Sequence, residues 1–178
     1  LSYRDGEEVI WALDESTGKE RWHYPVGPRG NLAYNEGPRS TPTVEGDRLS
    51  ALGVSGDLVC LNSRDGSLVW RRSLTKEFGG RMMSNWGFSE SPLVDGDRVV
   101  VTPGADRAAL VALDKRDGKE VWKSEIPDCG GAGYSSVVPM ALKRLNLYVT
   151  WLGLKKDLEG KTVSGKGLVG VEAESGRC

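Results

Sequence analysis

Few residues in this 178-residue chain have the type and spacing to do chemistry. Cys60, Cys129 and Cys178 show no CxxC or Cys/His spacing, and any disulfide scheme leaves one thiol over, so neither a zinc site nor a disulfide framework is supported. His23 is the sole histidine and follows Trp22 with no evident partner, so it reads as a surface residue. Gly165-x-Gly167 lacks the strand-to-helix setting of a dinucleotide motif. In segment 154–166 lysines alternate with acids and glycines, which describes a solvated hairpin insertion better than a phosphate site. What remains is a set of aromatic and charged residues in three segments that link a fourth strand to the next first strand, 30–39, 81–90 and 128–135. Arg39, Trp86, Glu90 and Tyr134 are the candidates to line a polar-aromatic pocket or a protein-docking surface on loops held by rigid sheets. The competing structural reading is that Trp86 and Phe88 cover the sheet ends while Arg39 and Glu90 pair with each other.

The rest of the composition narrows the setting. The 24 Lys and Arg against 25 Asp and Glu leave a net charge of −1, without the basic excess expected of a nucleic-acid partner. No apolar run reaches the 18 or so residues of a transmembrane helix, and the segment from Leu1 to Gly6 is not a signal peptide but reads like the middle of a domain. Glycine is in excess at 24 residues, and 6 Trp stand against 2 Phe, which points to many tight turns and a repeated aromatic position.

That position is a repeat. The segments 9–22, 58–70, 110–122 and 168–178 align in one register, with Gly18, Gly66, Gly118 and Gly176 at spacings of 48, 52 and 58 residues. Such periods suit a four-stranded propeller blade. Gly46-Asp47 and Gly96-Asp97 mark tight hairpins that join first strands at 42–44 and 92–94 to second strands at 49–54 and 99–102. The third strands, 58–61 and 109–113, are nearly all apolar, as a strand covered on both faces must be. Within them Cys60 acts as a small buried hydrophobe. The fourth strands, such as 119–123, surround a Trp with polar residues and read as outer edges. The turn between third and fourth strands uses Asp14 as a local acceptor and Gly18 in the left-handed region. An indole that buries its ring and needs one acceptor suits docking onto the next blade, the role expected of Trp22, Trp70 and Trp122.

The motif Ala12-x-Asp14-x-x-Thr17-Gly18-Lys19-x-x-Trp22 resembles the tryptophan-docking repeat of the pyrroloquinoline-quinone (PQQ)-like β-propellers. The copy ending at Trp122 matches it with one change, Asp117 for Thr, while the copy ending at Trp70 departs more, with Cys60, Asn62 and Ser67. The resemblance covers essentially the whole chain. It implies an all-β fold, part of a β-propeller built of four-stranded antiparallel blades with tryptophan-docking motifs. A partial blade is expected at about 1–26, blades at about 40–75 and 90–127, and a partial blade at about 135–178. Because closed propellers have about four to eight blades, such a chain is expected to be a segment whose first partners are the remaining blades.

The superfamily holds quinoprotein alcohol dehydrogenases, the propeller lipoprotein that assists outer-membrane β-barrel assembly, and bacterial extracytoplasmic PQQ-like repeat proteins, which the sequence resembles most. The resemblance thus implies a periplasmic or secreted protein, with a leader upstream of Leu1, that acts as a binding or assembly scaffold for another protein or a small ligand at the propeller face. The alternative is a fragment of a PQQ-dependent alcohol dehydrogenase whose catalytic residues lie outside this chain. Such an enzyme is expected to hold Ca²⁺ with Glu and Asn or Asp beside the quinone, to use an Asp base, and often to join adjacent cysteines. No two cysteines are adjacent here and no carboxylate set matches that pattern, so no catalytic, cofactor or metal residue is assigned, and PQQ with calcium enters only under the alternative.

Overall fold

The computed structural model describes residues 1–30, 37–156 and 161–178. Its strands form four successive antiparallel sheets in chain order. The first holds β1 (Ser2–Arg4), β2 (Glu7–Leu13) and β3 (Glu20–Pro28). The second holds β4 (Thr43–Glu45), β5 (Arg48–Leu52), β6 (Asp57–Asn62) and β7 (Leu68–Ser73), followed by the one-turn helix α1 (Leu74–Phe78). The third holds β8 (Leu93–Asp95), β9 (Arg98–Val101), β10 (Val111–Asp114) and β11 (Glu120–Lys123). The fourth holds β12 (Val138–Leu142), β13 (Leu145–Lys156) and β14 (Thr162–Glu172). Each sheet is a simple meander, the form of a propeller blade.

Alternation along the third strands explains their unbroken hydrophobicity. Leu58 and Cys60 of β6 enter the core shared with the third sheet, whereas Val59 and Leu61 enter the core shared with the first. On β10, Val111 and Leu113 face back toward the second sheet and Ala112 faces the fourth. Both faces of each strand are therefore dry, and each core is a contact between blades. Cys60 is 1% exposed, and burial pushes its thiol pKa up. All three cysteines are free, Cys129 buried and Cys178 exposed.

The expected hairpins form at Gly46 and Gly96, both at φ 57°, while Lys143 takes the same conformation at φ 56° in the fourth sheet. The turns between third and fourth strands are tied by side-chain acceptors: Asp14 Oδ1 receives Ser16 N, Thr17 N and the Thr17 hydroxyl. Just before each turn the ladder slips by a residue, after Ala12, Cys60 and Ala112, whose cross-strand partners are Trp22, Trp70 and Trp122. A bulge at that place re-aims the side chains that follow, and the small residue opposite leaves room for the indole.

Each indole then meets the next sheet. Trp22 Nε1 donates to Ser63 O (3.2 Å), Trp70 Nε1 to Lys115 O (3.0 Å) and Trp122 Nε1 to Ala173 O (3.1 Å). Their rings lie on Gly66, Gly118 and Gly176, where an added Cβ would stand 2.6, 2.7 and 2.5 Å from ring carbon. These glycines therefore serve twice, as left-handed turn residues and as the floor for a ring. At Gly18 only the first reason applies, for nothing lies within 4 Å of its Cβ position.

Several local expectations shift. The third strand of the third sheet begins at Val111, not at 109, because Ala105 and Ala108 pair in a tight excursion just before it. Helix α1 was not anticipated: one turn carries no periodicity, and its signals are the Ser73 cap, which accepts from Lys76 N while Glu77 accepts from Ser73 N, and the left-handed Gly79. His23 is not partnerless; its Nδ1 lies 2.6 Å from Glu20 Oε1. The lysine-rich segment continues β13 and β14 as a long hairpin, and its 157–160 part lies outside the described residues. Among the described residues no helix is long and apolar enough to cross a membrane.

Candidate functional site

The glycine-rich connections between sheets form a backbone ladder of their own. Arg81 N donates to Pro103 O, Ala132 N to Arg81 O, Met83 N to Ala132 O and Gly153 N to Gly131 O, at 2.8 to 3.0 Å. Connector 81–83 thus lies between the third sheet and connector 131–133, which in turn lies against β13. The chains approach too closely for side chains: a Cβ on Gly104 would stand 2.0 Å from Ala132 N, and one on Gly130 2.2 Å from Gly153 O.

This platform leads into Trp86 and Tyr134, and Arg39 reaches them from the first connector. The Arg39 guanidinium carbon sits 5.6 Å from the Trp86 ring centroid, and the Trp86 and Tyr134 rings lie 5.7 Å apart at 31°. Ser84 Oγ accepts from Trp86 N (3.2 Å) and hydrogen-bonds the Tyr134 hydroxyl (2.5 Å), so one serine sets the position of both rings. Trp86 and Tyr134 each remain 41% exposed. The arrangement is a cation over an aromatic pair, able to bury apolar surface and to offer hydroxyl and guanidinium donors. The 31–36 part of the first connector lies outside the described residues.

Glu90 does not belong to that surface. It is 3% exposed and turns inward, its Oε1 accepting from Thr102 N (2.5 Å) beyond the end of β9. Phe88 is also buried, against Gly56, and covers a sheet end as the structural reading expected. Sequence reasoning also missed Ser84 and Trp151. The latter is 42% exposed, with its Cδ1 3.0 Å from the Cβ position of Gly133, next to Tyr134. The available signal was register: Trp86 and Trp151 both fall outside the tryptophan position of the repeat.

Burial pushes the Glu90 carboxyl up to about 7, and Glu8, whose Oε2 accepts from Val54 N of the second sheet, likewise to about 7. An unfolded glutamate ionises near 4.5. The stability contributed by protonated Glu90 is therefore complete below about pH 4.5 and is lost as pH rises to about 7, a change of roughly 2 to 3 kcal/mol. Glu90→Gln keeps the acceptor for Thr102 N and removes the titration. Melting curves from pH 4.5 to 8 should show the variant less pH-dependent than the parent by that amount; equal pH dependence would exclude Glu90 as a source.

Neither buried carboxylate makes a calcium–quinone centre. Calcium takes six to eight oxygens, whereas among the described residues no three His, Cys, Asp or Glu side chains converge, and Glu8 and Glu90 each bind a backbone N–H in separate places. No residue for PQQ with calcium is assigned among the described residues.

A family model described as outer membrane protein assembly factor BamB matches residues 6–177. The chain is 30% identical over 126 residues to the serine/threonine-protein kinase AfsK of Streptomyces griseus, covering 67% of this chain and 14% of that protein. It is 29% identical over 117 residues to BamB of Kangiella koreensis, covering 64% of this chain and 26% of that one. It therefore spans about a quarter or less of the length of these relatives. In fold it is similar to the quinohemoprotein alcohol dehydrogenase from Comamonas testosteroni, with a TM-score of 0.66 at 16% identity over 99% of this chain and 32% of the other. The family match runs through all four sheets and every copy of the turn motif: the chain belongs to the outer membrane protein assembly factor BamB family of PQQ-like β-propeller repeats.

Proposed function

We propose that this chain is part of a non-catalytic, extracytoplasmic propeller that docks a partner protein on the face carrying its blade-to-blade connections, in an assembly role. The stack of the half-buried Arg39 with the exposed Trp86 and Tyr134 carries this reading. Trp, Tyr and Arg dominate protein-binding hot spots, and a ladder-held platform loses little conformational freedom on binding. The name of the BamB relatives supports assembly work and a place outside the cytoplasm.

A photo-crosslinking residue placed at position 86 of the whole protein, in the organism that makes it, should yield a discrete protein adduct. A Tyr134→Ala change should weaken that partner's binding by about 30-fold, the size of a hot spot, with little change in melting temperature. Absence of any adduct, or unchanged affinity, would remove the docking face. Dye-linked alcohol oxidation by the whole protein with PQQ and Ca²⁺ would overturn the non-catalytic reading.

A further inference from the structure

At the opposite end of the inner strands from Trp86, the interface between the second and third sheets and that between the third and fourth sheets differ at one position of the repeat. Between the second and third sheets, Lys115 follows the turn acceptor Asp114 and reaches back so that its Nζ lies 2.9 Å from Glu45 Oε2. Between the third and fourth sheets the equivalent residue is Ala173. The equivalence is set by backbone geometry: Lys115 O and Ala173 O receive the indoles of Trp70 and Trp122, and Lys115 N and Ala173 N donate to Asp97 O and Asn146 O of their own sheets. The counterpart of Glu45 is Asp95, since each ends its inner strand and pairs across the hairpin with an arginine, Arg48 or Arg98.

Without the lysine an open groove of about 640 Å³ remains between the two sheets, with Asp95, Asp97 and Glu174 on its rim and Pro139, Met140 and Leu147 along it. Among the described residues that line it the one cation is Arg98, which is committed to the fourth sheet, donating to Ala173 O (2.8 Å) and to Glu174 Oε2 (2.6 Å). Asp95 Oδ2 accepts from the Tyr148 hydroxyl (2.8 Å), which holds the carboxylate in place without neutralising it. The groove thus keeps an acid and apolar walls, but not the aminobutyl side chain that reaches the equivalent acid one blade earlier.

We propose that this groove is a binding site for a primary ammonium on a short apolar stem, seated on Asp95 as Lys115 Nζ is seated on Glu45. The apolar walls take the methylenes and the rim carboxylates take the charge. Such a group is found on free aliphatic diamines and on lysine side chains of polypeptides.

Titration of the whole protein by calorimetry or NMR, with 1,5-diaminopentane in one arm and a lysine-containing peptide in the other, tests the site. Saturable binding in the millimolar range, weakened by salt, is expected from at least one arm, and which arm responds identifies the source. Ala173→Lys should fill the groove, abolish binding and raise the melting temperature. Asp95→Asn should weaken binding at least several-fold while leaving the acceptor for Tyr148. Lys115→Ala should open a second groove of the same kind and raise the stoichiometry towards two. Failure of both ligands to saturate, or binding to the Ala173→Lys and Asp95→Asn variants as tight as to the parent, would overturn the proposal.

Discussion

Gly104→Ala is expected to remove most of the stability margin, more than about 4 kcal/mol against a typical total of about 5 to 15. Two costs combine. The residue sits at φ 75°, where a Cβ alone costs about 1 to 2 kcal/mol. That Cβ would also stand 2.0 Å from Ala132 N, 2.6 Å from Arg81 O and 2.7 Å from Gly131 C. All three are backbone atoms, so no rotamer change relieves the overlap. The connectors must separate, and the bond from Ala132 N to Arg81 O opens with them. Gly46→Ala is the matched control: φ is 57° but nothing lies within 4 Å, so only the conformational cost of about 1 kcal/mol remains. Urea melts of the two variants should differ by at least about 3 kcal/mol. Comparable losses would mean that the connectors yield, and that the face carrying Trp86 and Tyr134 is not rigid.

The same comparison shows what the sequence made legible. Strand order, turn sites and the indole register follow from local chemistry: an Asp that ties its own turn, a Gly at positive φ, and an apolar run that only two covered faces explain. Each signal is complete within about fifteen residues and recurs, so repetition confirms the register. The glycine excess was legible only by half. Turn glycines such as Gly18 repeat with the motif, but Gly104, Gly130, Gly131 and Gly153 answer to atoms of chain segments distant in sequence, and no local pattern marks such close approach. Glu90 shows the same limit within the site. Its neighbours in sequence place it beside Trp86, yet Thr102 N, a donor beyond the end of β9, draws the carboxylate inward. Arg39, Trp86 and Tyr134 were legible as candidates because they are aromatic or charged residues just before a first strand. That they stack on one another depends on the ladder, which the sequence does not display. The groove at Asp95 arises from a missing side chain, and it emerges only when Ala173 is set against Lys115 in the matching turn.

Trp70→Ala is expected to cost about 3 to 5 kcal/mol, the range for deleting a buried aromatic side chain. Trp70 is 7% exposed, and its ring covers Gly118 while it also packs in the core between the second and third sheets. No neighbour can fill the space: the ring's floor is a glycine fixed at φ 72° by its own turn, and the residue opposite, Cys60, is already small and buried. Removing the indole also leaves Lys115 O with only the long contact from the Cys60 thiol, at 4.0 Å. The two contributions can be separated. Trp70→Phe keeps most of the apolar surface but not the N–H, and should lose about 1 to 2 kcal/mol through the hydrogen bond and imperfect packing. Leu68→Ala, on the same strand at 48% exposure, supplies the surface reference and should change stability by no more than about 1 kcal/mol. In a chain of this length 1 kcal/mol corresponds to roughly 2 to 4 °C, so the three variants should fall in a clear order of melting temperature. Because the ring and its acceptor belong to different sheets, the loss measures how strongly one blade holds the next. If Trp70→Ala melts with Leu68→Ala, the indole contacts are a consequence of blade stacking and not its cause, and the cohesion between sheets then lies in the alternating residues of β6 and β10.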